Sequence, residues 1–403
     1  MIDYQKLYQQ FVEIYNKNGV DIETAKTALK KQHIETPSWG YGKMGTRFKV
    51  FTSTADACNV YEKVDDASFV NKLTGISSSL ALMFPWDVTD DWVGLRQYAE
   101  KQGMTIGALM PSLWEEEEFK FGSICHSDSA SREMAFGRIL ETIEIIQKVG
   151  SKTLAVWLAD GTNYAGQDSI RERKHRMESE LKKVYAALPE NCNLLLEYKF
   201  FEPGFYHSDL ADWGMSANTV RKLGPRAKVL VDTGHHAPGT NVEHIVAFLI
   251  DEGLIGGFHL NSRNYADDDL IVGTADPFEL FLIYNEIVEA EISGDKLAAQ
   301  CVKDIAYMVD ESHNIEPKLE AMLQSVVNCQ TAYAKALMVD RKELAQRRAN
   351  QDVLGAHRVL VDAFNTDVRA LLAQVRVEMD CPPDPFEAYH LSQYPAEILK
   401  KRQ

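Results

Sequence analysis

From residue 75 onward, short apolar runs alternate with longer stretches whose apolar positions recur at helical spacing, which predicts parallel strands joined by crossover helices. Eight such runs can be marked: GISSSLALMF (75–84), MTIGALM (104–110), KTLAVWL (152–158), CNLLLEY (192–198), AKVLVD (227–232), IGGFHL (255–260), DLIVG (269–273) and DIAYMVD (304–310). Segments such as 132–149 and 169–188 read as the intervening helices; the link between the sixth and seventh runs is short. Eight strand–helix units of this total length predict a (β/α)8 TIM barrel. A doubly wound α/β sheet is the runner-up, but no run opens into a phosphate loop. GYGKMG (40–45) has glycines at loosely suitable spacing, yet it follows Pro37 and Trp39 rather than a strand and reads as a flexible loop.

The barrel is thus expected over residues 73–340, with N-terminal and C-terminal helical extensions at 1–72 and 341–403. The first extension carries helices and a loop expected to cover substrate. The second, opening with a charged helix, is of a size suited to clasping a neighbouring subunit. The formal charge of −16, with no basic run beyond Lys400 to Arg402, argues against a nucleic-acid partner. Six cysteines at least 28 residues apart, without a Cys-x-x-Cys pair, read as idle or buried thiols. The amphipathic N-terminus lacks the apolar core of a signal peptide, and the uncharged stretch Leu73 to Trp86 spans 14 residues, too short for a bilayer. A cytoplasmic location without membrane partners is the expectation.

In such a barrel the chemistry belongs at the C-terminal strand ends. Polar residues gather there: Glu197 and Lys199 end the fourth run, Asp232, His235 and His236 the fifth, and His259 with Asn261 the sixth. Asp267 and Asp269 stand at the seventh, and Asp310, Glu311 and His313 at the eighth. If the segment is extended, Asp267 and Asp269 share one side and Asp268 faces away. Glu197, Asp232, His235, His259, Asp267, Asp269 and Asp310 therefore make a pool of five carboxylates and two imidazoles. Such an oxygen-rich set suits Mn, Mg or Co, and is large enough for two ions sharing a carboxylate. Nothing fixes the direction of His236, His244 or His313. Trp39, Trp114 and Trp157 read either as core residues or as a hydrophobic wall for a sugar.

Several segments around these residues resemble the L-rhamnose isomerase family, in its metal-dependent, broad-specificity branch, whose barrel is xylose-isomerase-like. They are PSWGYGKMGTRFKVF (37–51), PWD (85–87), GTNYAGQD (161–168), LLLEYKFFEP (194–203), VLVDTGHHAPGTN (229–241), GGFHLNSRNYADDDLIVG (256–273), MVDESHN (308–314) and NTDVR (365–369). The resemblance implies an aldose–ketose isomerase acting on L-rhamnose or related aldoses, usually a homotetramer with two divalent ions per subunit, Mn first and Co or Mg as alternatives. By motif, Glu197 would bridge the ions, with Asp232, His259 and Asp310 completing a structural site and His235, Asp267 and Asp269 a catalytic one. Lys199, Asp310 and His235 would act on the sugar, Trp39 and Trp157 would line it, and Phe48 would enter a neighbour's pocket. The chain departs from the family at Met83, where H-x-P-W-D has its His, and around Pro111, Ser112 and Trp114. A sugar epimerase on the same barrel, and a catalytically weak sugar-binding relative, therefore stay open as alternatives.

Overall fold

The computed structural model describes residues 3–17, 20–43, 51–265 and 267–402. Eight parallel strands, β1 (Thr36–Pro37), β2 (Ser79–Phe84), β3 (Thr105–Pro111), β4 (Thr153–Trp157), β5 (Asn193–Glu197), β6 (Ala227–Asp232), β7 (Ile255–Leu260) and β8 (Ala306–Val309), pair in chain order. The seam between β8 and β1 is held by Glu35, whose amide donates to the Tyr307 carbonyl (2.7 Å) and whose carbonyl accepts from the Val309 amide (2.9 Å). Helices Val60–Thr74, Trp92–Lys101, Ser129–Val149, Ile170–Ala187, Trp213–Leu223, Val242–Asp251 and Pro277–Ile292 carry the chain from each strand to the next. Much of the acid excess serves these helices. Asp91, Asp128, Asp212 and Asp276 each accept a backbone N–H at a helix start.

The barrel differs from the expected one at its seventh run. Asp269–Gly273 is loop, with only Leu270 bridged to Ser262. The few residues between Leu260 and Asp269 cannot make the crossover of about a dozen that a parallel strand requires. The remaining strand is β1, which lies inside the segment expected to be an N-terminal extension.

Along the strands the period of two separates two cores. Leu194, Leu196, Val229, Val231, Phe258 and Leu260 face outward into the helices. Ala81, Ala108, Ala155, Leu195, Leu230 and Met308 fill the interior, where Gly257 leaves room because Leu195 Cδ1 lies 2.7 Å from the position of a Cβ. Two residues further along come Met83, Met110, Trp157, Glu197, Asp232, His259 and Asp310. The mouth of the barrel is thus one step of the same alternation, with an apolar half on β2 to β4 and a polar half on β5 to β8.

Beyond the barrel, the C-terminal helices fold back on their own chain. Arg402 pairs with Asp66 (2.9 Å) on helix Val60–Thr74, and Arg376 donates to Gln330 (2.7 Å) on helix Lys318–Leu337. Among the described residues, no helix is long and apolar enough to cross a membrane.

Candidate active site

Register sets the height of the site. Trp157 stands opposite Glu197 across β4 and β5, and Asp232 opposite His259 across β6 and β7. One donor atom each from Glu197, Asp232, His259 and Asp310 lies within 4.8 Å of the others. His259 Nδ1 is 3.1 Å from Glu197 Oε1 and 3.2 Å from Asp310 Oδ2, while neither of its ring nitrogens makes a hydrogen bond. Asp232 is oriented from behind by the Gly234 amide (2.6 Å) and the Asn261 amide group (3.0 Å). A Cβ at Gly234 would meet Asn261 Oδ1 at 2.6 Å, so a larger residue would push aside the amide that holds Asp232.

Beside this group lie the other expected ligands. His235 is held by the Tyr198 carbonyl (3.0 Å), approaches Glu197 (3.2 Å) and bonds Asp267 (2.8 Å). Asp269 lines the same pocket and accepts from Ser312 (3.1 Å). The pairing of Asp267 with Asp269 does not come from an extended segment. Both residues have left-handed backbone, φ 57° and 49°. Between them Asp268 turns away and accepts the Asn264 and Tyr265 amides, closing the loop. Strain of this kind in non-glycine residues persists where surroundings over-determine it, which is commonest at functional sites.

So many acids in a buried space cannot all ionise freely. Burial pushes Asp232 up to about 7, and burial with the neighbouring Asp267 raises Asp269 well above the carboxylate range. Burial alone would depress the imidazoles, but the carboxylates of Asp232 and Asp267 carry His235 up to about 9, and Glu197 and Asp310 raise His259 strongly. Carboxylates outnumber basic groups in the site, and the buried His259 imidazole, with neither ring nitrogen hydrogen-bonded, stands among them. This donor set fits a hard divalent cation. Lys199, 4% exposed at its side chain, is the one lysine or arginine among the described residues lining the pocket, paired with Asp267 (2.5 Å) and Glu202 (2.6 Å). Burial would lower it, yet those two carboxylates raise it overall, so it stays an ammonium.

Opposite the acids stands an apolar wall of Trp39, Met83, Met110, Trp114 and Trp157. Trp114 and Trp157 meet edge to face at 4.8 Å, and the Lys199 ammonium lies 5.0 Å over the Trp157 ring. The Trp39 indole donates to Asp310 (2.9 Å), which joins wall to acids. Every expected site residue except Phe48 thus meets at one pocket or its ligand cluster; Phe48 lies outside the described residues. His236 instead bonds the Tyr198 hydroxyl (2.7 Å), and His313 meets Glu311. His244 supplies a backbone amide to the Asn241 cap (2.7 Å) at the start of helix Val242–Asp251.

Sequence reading missed Met110, though the alternation in MTIGALM places it two residues beyond interior Ala108. It also gave no role to Asp87. This carboxylate, 1% exposed, takes Lys63 (2.6 Å), the Met83 amide (2.9 Å) and the Ser38 hydroxyl, and so ties the ends of β1 and β2 together.

A parallel eight-stranded barrel with a carboxylate and imidazole cluster at its C-terminal mouth is an α/β-barrel scaffold whose mouth offers a candidate metal site. Residues 74–304 match the xylose isomerase-like TIM barrel family, and the chain belongs to it. It is 38% identical over 405 aligned positions to a probable sugar isomerase of Rhizobium meliloti, covering 99% of this chain and 92% of that one. A probable sugar isomerase of Mesorhizobium japonicum is 37% identical, with 99% and 93% covered. Among solved structures, L-ribulose 3-epimerase superposes with a TM-score of 0.54 at 14% identity, covering 80% of this chain and 98% of that one. The IolI protein with a zinc atom superposes with 0.54 at 12% identity, covering 76% and 99%. These last two share the fold.

Proposed function

We propose that the protein is a divalent-metal-dependent isomerase that interconverts an aldose and its 2-ketose, with L-rhamnose and related aldoses as the substrate class. The observation that carries this reading is the two-sided pocket: carboxylates and imidazoles from β5 to β8 face indoles and thioethers from β1 to β4, with the Lys199 ammonium between them. A sugar in its open form has matching sides, oxygens along one and C–H groups along the other. The names of the relatives from Rhizobium and Mesorhizobium support the reaction class. Glu197, Asp232, His259 and Asp310 would hold one ion, and Glu197 with His235, Asp267 and Asp269 a second, Mn being the first choice. Bound divalent ions would act as Lewis acids on the sugar oxygens next to the reacting carbons.

The chain's own groups have separable tasks. Lys199, held as an ammonium by Asp267 and Glu202, donates to a substrate oxygen. Trp39, Trp114 and Trp157 exclude water and stack on the C–H face. Asp310, which accepts from the Trp39 N–H, would exchange a proton with a substrate hydroxyl. Met83 can carry no proton, which directs the pocket toward sugars that open their rings unaided. The test is an assay of the purified, Mn-loaded protein on a panel of aldoses and ketoses, with carbon-2 and carbon-3 products separated. Conversion between aldose and 2-ketose is expected. Inversion at carbon 3 alone would establish an epimerase instead, and sugar binding without turnover would overturn the catalytic reading.

A further inference from the structure

The segment after β8 touches the pocket with alternate residues. Asp310 accepts from Trp39, and Ser312 donates to Asp269 (3.1 Å). The residues between and after them, Glu311 and His313, are buried, at 0% and 3% exposure, but neither lines the pocket. Glu311 Oε1 accepts the Val272 amide (2.8 Å) and the Ser325 hydroxyl (2.6 Å), and its Oε2 meets His313 Nε2 (2.5 Å). His313 donates through Nδ1 to the Gly40 carbonyl (2.9 Å). A carbonyl can only accept, so the direction of that bond is fixed.

These bonds converge on Trp39. The short 3-10 turn Ser38–Gly40 carries it, and the turn is gripped on both sides: Ser38 by Asp87, Gly40 by His313. Val272 belongs to the loop that bears Asp267 and Asp269, so the same carboxyl group also anchors the acidic side. His313 has φ 45°, a left-handed conformation that turns its ring back toward Gly40, and Lys318 Nζ reaches the Ser312 and His313 carbonyls (3.4 and 3.3 Å). Simple packing would be met more cheaply by apolar side chains than by a buried carboxyl and imidazole that satisfy each other.

We propose that Glu311 and His313 are a positioning pair that sets Trp39 against the pocket from behind, so that the sugar-binding wall depends on two residues that never touch the sugar. The inference rests on reading the pocket as a sugar site. In the full-length, Mn-loaded protein, His313→Asn accepts left-handed backbone but is too short to reach the Gly40 carbonyl. It should raise KM for the best aldose about tenfold and leave kcat within about twofold, with Mn content unchanged. Trp39→Phe should raise KM by itself, and His313→Asn should add little in that background. Glu311→Gln keeps the acceptor for Val272 and offers an N–H to His313 Nε2, so it should stay near the parent protein in each measurement. Hydrogen exchange over Thr36–Lys43 should quicken in His313→Asn and not in Glu311→Gln. That measurement needs no turnover, so it judges the pair even if the sugar panel finds no isomerase. Unchanged exchange there, an equal KM effect with and without Trp39, or a fall in kcat and Mn content with KM unmoved would each overturn the proposal.

Discussion

Glu197 Oε1 lies 3.1 Å from His259 Nδ1 and 3.2 Å from His235 Nδ1, so one carboxylate stands between the two imidazoles and both halves of the acidic cluster. Glu197→Gln keeps the shape and removes the charge. Activity should fall by more than about a hundredfold, the upper range for groups that merely support a metal ligand, and elemental analysis should find less than the parent's metal per chain. Retention of two ions with full turnover would remove Glu197 from the shared position. Met83 raises the complementary question on the apolar side. It is 4% exposed on β2, two residues beyond interior Ala81, so a His there would project into the same pocket. Met83→His should raise turnover on sugars locked as rings by about tenfold, short of the 10² or more of an optimally placed acid–base group. Sugars rich in open chain should gain little, and equal gains across both kinds would show that ring opening is not what Met83 limits.

At the scale of elements, what could be read in advance depended on how many residues a signal occupied. β2 to β8 are strands of four to seven residues, and their apolar runs stand out. β1 is two residues, Thr36–Pro37, shorter than any periodicity, and in the sequence it reads as the approach to a loop. DLIVG has a strand's composition, but the short chain before it leaves no room for a crossover, and it became the loop that delivers Asp267 and Asp269. The clustered acids and imidazoles on the strands are legible because strand ends are marked by where an apolar run stops. Asp87 and the Glu311–His313 pair are not, because their partners come from segments distant in sequence. The last helix, Tyr394–Lys401, shows the same non-local dependence. Arg402 beyond it is buried against Asp66, whose side chain is 3% exposed and whose carboxyl burial pushes up to about 6 despite the guanidinium. Arg402→Ala leaves that acid unpaired and should cost about 3 kcal/mol, read as a lower denaturant midpoint with kcat unchanged. A raised folded-state value means that the native protein binds the proton more tightly than the unfolded chain. Stability therefore rises as pH falls through 6, and the loss should be larger at pH 8 than at pH 5. An equal loss at both would mean that Asp66 stays hydrated.

For the whole molecule, the acids behind the charge of −16 divide into those with local employment in helix caps and ion pairs and those gathered at one end of the barrel. The second group is held together by the fold against its own repulsion, so the ion-free protein compensates by retaining protons: Asp232 titrates near 7, His235 near 9, and Asp269 well above an ordinary carboxylate. Cations and protons then compete for the same atoms. On the proposed reading, ligation would need Asp232 ionised and His235 neutral, and both conditions are met only as pH rises through their values. Mn affinity should therefore strengthen from pH 6 to pH 8, and calorimetric titration in two buffers of different ionisation enthalpy should reveal protons released on binding. An ion held by the folded barrel would have no preformed site in the unfolded chain, so on the proposed reading stripping it with chelator should lower the melting temperature. Mn restored at a hundredfold its dissociation constant should return about 2.7 kcal/mol. Melting indifferent to chelator, or affinity flat across that pH range, would mean that the acids at the barrel mouth are reconciled by protons and lysine alone.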